Sequence, residues 1–480
     1  MRNLTLLTDL YELTMGYGFF KQKRHEQRAV FDIFFRQNEL ITYSLAAGLQ
    51  QAIEYVENIH FTGDDIRYLR GLGLFDEEFL SYLKNMRFTG DIYAVKEGEP
   101  VFPGEPILTV RAPVVQAQFL ETALLNIINH QTLIATKAAK ICRAAQGDSV
   151  MEFGLRRAQG PDAGIYGARA AVIGGCGSTS NVLAGEMFSI PLAGTMAHSW
   201  VMNFPSEFEA FKAYADAFPD NCLLLVDTYD TLRSGVPNAI KTFRYLRGKG
   251  YEPKGIRLDS GDLAYLSKKA RKMLDAAGFE KTVICASGDL DENSIESLKS
   301  QGAKIDVWGV GTKLITSEDM PALGGVYKLA AVYEGEREIP KIKISDNTAK
   351  ITNPGFKQVY RITDNASGKA VADLIALRRE RFDANKPLTI RHPVDRWKTL
   401  TVENYSLRPL LVPVIEGGRR VYDFPPLQEV AAYARQQTAS FWEEYTRNAL
   451  PHLYKVDLSE ELLALKDKLL EEVRGSKGNV

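Results

Sequence analysis

Cysteine is scarce in this chain: Cys142, Cys176, Cys222 and Cys285 are the only four in 480 residues, and no two form a Cys-x-x-Cys pair. That excludes a disulfide scaffold and a four-cysteine zinc site, and leaves buried free thiols in a reducing cytoplasm as the expectation. Histidine is nearly as rare, and the six (His25, His60, His130, His198, His392, His452) show no HxxH or HxxxH spacing, which argues against a zinc site built on paired histidines. A surplus of one charge is missing too: 59 Lys and Arg face 60 Asp and Glu, so no global field attracts nucleic acid or anionic lipid. Any anionic ligand must be held by local groups. The longest uncharged run, Met187 to Ser206, contains Pro191, Gly194, His198 and Asn203 and makes a poor membrane helix. Asp9 and Glu12 fall where an export signal needs an unbroken apolar core, so none is expected. No low-complexity tract or close fixed-period repeat occurs. What is present, 45% hydrophobic and 25% charged residues, is the composition of a globular protein of roughly two to four domains.

A rhythm organises the middle of the chain. Short apolar runs end repeatedly in polar, Gly-rich stretches: "SVMEFGLRR", "SIPLAGTMAH", "CLLLVDTYDT", "GIRLDSGDL", "TVICASGDLD" and "IDVWGVGTKL". Runs of that length suit strands buried on both faces. Helix patterns lie between them, with Ser206 and Glu209 at capping-box spacing, Pro237 near a start, Asp262 as a cap, and Gly248, Gly278 and Gly302 at ends. Strands alternating with helices predict a parallel sheet, and polar residues after nearly every strand favour an irregular, TIM-like α/β barrel over an open sheet. Upstream, "GDIYAVKEGEPVFPGEPILTV" predicts a β-rich N-terminal α/β domain; downstream, "FKQVYRI" and "ADLIALRRE" read as strands before a helical end. The expected division is 1–115, 116–335 and 336–480, with the last segment returning strands to the first.

The predicted strand ends collect arginines, carboxylates and glycine turns, among them Glu152, Phe153, Arg156, Arg157, Thr195, His198, Asp227, Asp230, Arg257, Asp259, Asp289, Gly309, Gly311 and Thr312. Guanidinium groups and exposed amides bind phosphate, and carboxylates hold hydrated Mg²⁺ or sugar hydroxyls. Each residue also has a plain structural reading. Asp262 and Asp291 are read as helix caps, Phe153 by itself as core, Arg157 equally well as a surface ion pair, and a lone His198 as a satisfied structural group.

Taken together, "LLTDLYELTMGYG", "FDIFFR", "EFGLRRAQGPDAG", "GTMAHSWVM", "LLVDTYDT", "GIRLDSGDL", "ICASGDLDE" and "VWGVGT" resemble the nicotinate phosphoribosyltransferase family, in register from Thr5 to Leu329. The resemblance implies the type II phosphoribosyltransferase fold and the joining of nicotinate to 5-phosphoribosyl 1-diphosphate. It implies ATP hydrolysis through a transient phosphohistidine, Mg²⁺, and a homodimer with shared active sites in the cytoplasm. Carried over by position, His198 matches the phosphorylated histidine, and Asp227 and Asp259 the acidic residues near it, the ribose and the metal. Thr195 and Arg257 match nicotinate contacts, and Phe153 and Arg156 the groups flanking the ring and diphosphate. Gly288, Asp289, Gly311 and Thr312 match ribose and 5′-phosphate loops. Tyr11 matches a tyrosine reaching the pyridine ring from the partner, and Arg36 a phosphate contact across the dimer. Ser180 stands where the related nicotinamide enzymes carry an aspartate, which favours an acid over an amide. The alternatives are a nicotinamide or quinolinate enzyme on the same fold, a catalytically silent metabolite sensor, and an aldolase-like barrel with Lys313 as its Schiff-base lysine.

Overall fold

The computed structural model describes residues 3–36, 42–345 and 350–477. The chain forms two compact units, Met1–Leu133 with Ala322–Val480, and Ile134–Pro321. Among the described residues no helix is long and apolar enough to cross a membrane.

The first unit is built on two sheets of chain-distant strands. One has seven strands, all antiparallel, in which Arg28–Phe35 lies between Gly325–Glu334 and Leu108–Pro113. The other has six, centred on Lys357–Asp364, Ala370–Leu377 and Val456–Leu458. Ile362, Leu374 and Ile390 form the core of the second sheet. An ionic network is buried beside them. Arg361, 2% exposed, donates from Nη2 to Asp373 Oδ2 at 2.6 Å and also pairs with Glu99, which Arg408 holds at 2.9 Å. A guanidinium so buried persists only because each of its nitrogens finds a carboxylate or carbonyl.

The second unit carries six parallel strands: β1 (Ser149–Glu152), β2 (Ser178–Thr179), β3 (Leu223–Leu225), β4 (Gly255–Leu258), β5 (Val283–Gly288) and β6 (Val307–Val310). The apolar runs form strands because both faces are covered; Leu224, Leu225, Ile256, Leu258, Ile284, Ala286 and Trp308 are fully buried. The intervening helices start where local chemistry dictates. Ser206 accepts the Glu209 N–H, Asp262 that of Tyr265 and Asp291 that of Ser294. Pro237 lies in the first turn of Val236–Gly248.

The strand order is β2-β1-β6-β5-β4-β3. Sequence neighbours therefore pair, and β1 pairs with β6, except that among the described residues no pairing joins β2 to β3. The expected parallel sheet is present, and its first strand pairs with its last as in a barrel. The predicted strand in "SIPLAGTMAH" is, by contrast, absent: only Leu192 bridges Thr179, and His198 starts the short helix His198–Met202. Pro191 has no N–H to give a ladder, which explains why pairing stops there.

Candidate active site

Because the six strands are parallel, the residues that follow them gather at one edge of the sheet, the usual place for chemistry in α/β proteins. Asp227, just beyond β3, is the hub. Its side chain is 2% exposed; Oδ2 accepts the Asp259 N–H at 2.9 Å and the Ser260 hydroxyl at 2.6 Å, and Oδ1 faces His198 Nε2 at 3.3 Å. The imidazole, 38% exposed, leans on a buried carboxylate while staying open to solvent. A carboxylate facing Nε2 favours the tautomer with its N–H on that nitrogen.

Arg257, within β4, forms a second cluster. Nη2 donates to Asp259 Oδ1 at 2.7 Å, and Nε to Ser287 Oγ at 2.7 Å. The Ser287 hydroxyl in turn donates to the same Asp259 oxygen. Nη1 has only looser partners, Thr195 Oγ1 at 3.2 Å and Met196 O at 3.5 Å. Burial would raise the Asp259 carboxyl, but the bonds from Ser287 and Arg257 outweigh it and hold the group below its ordinary range.

Phe153 follows β1, its N–H bonded to Val310 O at 2.8 Å, and the Arg257 guanidinium lies 5.8 Å from its ring centroid. A Cβ on Gly309 would come within 2.8 Å of that ring, so glycine is required there for the ring to lie over β6. Behind it, the buried Glu152 accepts the Gly154 N–H and, at 2.6 Å, the Thr179 hydroxyl, while its backbone carbonyl takes the Ser180 N–H at 3.0 Å. Ser180 is thereby held beside the β1 end. Burial pushes the Glu152 carboxyl up despite those bonds.

Gly288 has φ of +118° at the end of β5, a backbone that favours glycine, and presents the exposed Asp289. Gly311 and Thr312 leave β6, with Gly311 preceding the short helix Thr312–Ile315. Arg156 is exposed on the turn Leu155–Arg157. Tyr11 and Arg36 belong to the first unit. Tyr11 is 44% exposed on the helix Leu10–Lys21, and burial and then Glu121 push its phenol up to about 12. Arg36 is half-buried, just past Arg28–Phe35. Lys313 pairs with Asp291 at 2.8 Å, and this hydrogen bond raises its pKa, the opposite of what a Schiff-base lysine needs.

Sequence reading passed over Ser260 and Ser287. Ser287 carried a signal: it is a buried polar group in an otherwise apolar strand, two residues beyond Cys285 and so on the same face. Among the described residues no group of three or more His, Cys, Asp and Glu side chains could hold a metal ion by itself.

A parallel α/β sheet whose strand ends carry a braced guanidinium, an aromatic face and a carboxylate-backed histidine has the form of an enzyme site. Comparison with known proteins narrows the class. Residues 6–129 match the nicotinate phosphoribosyltransferase (NAPRTase) N-terminal domain, 149–361 the nicotinate phosphoribosyltransferase (NAPRTase) family, and 356–466 the C-terminal domain. Nicotinate phosphoribosyltransferase of Bacillus subtilis is 50% identical over 474 residues, covering 98% of this chain and 96% of that one. The protein of that name from Homo sapiens is 33% identical, covering 97% and 96%. The crystal structure of human nicotinic acid phosphoribosyltransferase superposes with a TM-score of 0.85 at 31% identity, covering 97% of this chain and 100% of that chain. The chain belongs to the nicotinate phosphoribosyltransferase family.

Proposed function

We propose that the protein joins nicotinate to 5-phosphoribosyl 1-diphosphate, giving nicotinate mononucleotide and diphosphate, and couples this to ATP hydrolysis through phosphorylated His198. Family membership and the relatives' names support the first part. The observation that carries the substrate reading is the Arg257 guanidinium beside Phe153, with its Nη1 only loosely occupied. A planar aromatic acid can lie against the Phe153 ring and exchange its carboxylate for the weak Nη1 partners. Ser180 offers such an anion no repulsion.

In the transfer, the unprotonated pyridine nitrogen attacks C1 of the ribose as the C1–O bond to diphosphate breaks, so no general base is needed. The chain's contribution is to hold the ring in line and to stabilise positive charge developing at C1 with nearby carboxylate. Gly288, Asp289, Gly311 and Thr312 are the groups assigned to ribose and 5′-phosphate, and Arg156 to diphosphate. Asp227 and Asp259 are the carboxylates assigned near Mg²⁺, which would neutralise charge on the leaving diphosphate.

In the ATP step, His198 attacks the γ-phosphorus, ADP leaves, and water later cleaves the N–P bond. Asp227 supports this by keeping the Nε2 proton in place. Tyr11 and Arg36 are assigned to the active site of a second copy in a homodimer. Exposed apolar side chains support such an assembly, Leu10, Tyr11 and Met15 in one unit and Val182, Leu183 and Met187 in the other. The test is purified protein with nicotinate, nicotinamide or quinolinate, phosphoribosyl diphosphate and Mg²⁺, with and without ATP. Nicotinate mononucleotide is expected, faster with ATP; its absence from every mixture overturns the reading.

A further inference from the structure

We infer that Ser287 is a specificity-determining positioning residue: it locks Arg257 so that one guanidinium nitrogen alone is left for the substrate carboxylate. The inference rests on the proposed nicotinate reading and extends it to a buried residue away from the substrate.

The argument starts from register. In the parallel sheet Arg257 of β4 stands opposite Cys285 of β5, and Ser287 opposite Gly309 of β6. Arg257 and Ser287 are therefore diagonal neighbours on one face. Ser287 is 3% exposed, and a hydroxyl so buried must be satisfied. It is satisfied twice, accepting from Arg257 Nε at 2.7 Å and donating to Asp259 Oδ1. Arg257 Nη2 closes the ring by donating to that same oxygen at 2.7 Å. Two of the three guanidinium nitrogens are thus fixed by short bonds, and the planar fork cannot rotate. Nη1, with contacts at 3.2 and 3.5 Å, is the one that can change partner.

Locking matters because a free guanidinium offers several donor pairs and would donate to an amide oxygen nearly as readily as to a carboxylate. A fixed one, paid for by binding energy already spent in the fold, meets its ligand in a single orientation. Asp259 alone does not achieve this, since its bond to Nη2 leaves rotation about that contact open; the Nε bond to Ser287 removes it. Gly309 completes the arrangement, because a side chain there would lie 3.4 Å from the Ser287 Cβ and press Phe153 at 2.8 Å.

The experiment compares wild type with Ser287→Ala and Ser287→Cys. Ser287→Ala is expected to raise KM for nicotinate about tenfold, the loss of one charge-assisted hydrogen bond. The change in kcat and in KM for phosphoribosyl diphosphate should stay within about twofold, and the preference for nicotinate over nicotinamide should fall by a similar factor to the KM change. Ser287→Cys preserves size with a weaker donor and acceptor and is expected between the two. Direct titration with nicotinate alone should reproduce the affinity loss. An equal rise in both KM values, or a fall in kcat at unchanged nicotinate affinity, overturns the proposal and assigns Ser287 to packing. Should Ser287→Ala fail to fold, the Ser287→Cys titration decides alone. Wild type that makes no nicotinate mononucleotide is a different failure, that of the underlying reading.

Discussion

Asp227 turns one carboxylate oxygen to His198 and keeps the other for the backbone: Oδ1 faces His198 Nε2 at 3.3 Å, and Oδ2 receives the Asp259 N–H at 2.9 Å along with the Ser260 hydroxyl at 2.6 Å. The pair explains how a histidine 29 positions upstream in the chain is held ready without being buried. It predicts that Asp227→Asn, which keeps the shape and loses the charge, slows phosphate transfer from γ-labelled ATP by at least about a hundredfold, as when a backing carboxylate is lost from other histidine pairs. His198→Ala should abolish an acid-labile, base-stable label altogether. Label persisting in that variant places the acceptor on another residue.

Gly309→Ala tests the slot against Phe153. The new methyl sits 2.8 Å from the ring, which must shift. The expected stability loss is about 1–3 kcal/mol by urea denaturation. KM for nicotinate should rise about tenfold with little change for phosphoribosyl diphosphate, the equivalent of about 1.4 kcal/mol. An unchanged nicotinate KM would show that the ring position does not matter to binding.

Asp259 sets a pH dependence with a definite sign. Its folded pKa lies below the ordinary 3.8 because the bonds from Ser287 and Arg257 outweigh burial. A depressed carboxyl contributes stability that is fully present above the unfolded value and is lost as pH falls through the folded one. The difference in Tm between wild type and Asp259→Asn should therefore hold constant from about pH 8 to about pH 5 and shrink only in the acid range below. Shrinkage centred near neutral pH would contradict this.

The buried network of the first unit predicts a large, purely structural effect. Arg361→Met takes the guanidinium from buried Asp373 and leaves Glu99 to Arg408, in a region where Arg361 is 2% exposed, and should cost about 3–5 kcal/mol in urea denaturation. The exposed pair Arg391 and Glu460, 38% and 64% exposed, should by contrast cost at most about 1 kcal/mol when broken.

Much of the second unit was legible because its signals are local. "CLLLVD" and "TVICASG" became strands since an apolar run of that length has no amphipathic alternative, and Asp262 and Asp291 capped helices because their carboxylates reach an N–H three residues on. Ser178–Thr179 was missed because two polar residues carry no periodicity. "SIPLAGTMAH" misled in the opposite way: its hydrophobicity suggested a ladder that Pro191 interrupts. The missing pairing between β2 and β3 among the described residues was beyond reach, since it depends on which edges meet.

The amino-acid sequence alone determined the alternation of strands and helices, the capping residues, and the set of groups that follow the strands, because each depends on a few neighbouring residues. Only the tertiary structure decided how those groups share donors and acceptors: that Asp227 backs His198 while Asp259 serves Arg257, and that Ser287 closes the ring around the guanidinium. The physical reason is that each of these bonds crosses between strands distant in the chain. Its partner is chosen by strand order and register, which local propensity does not encode.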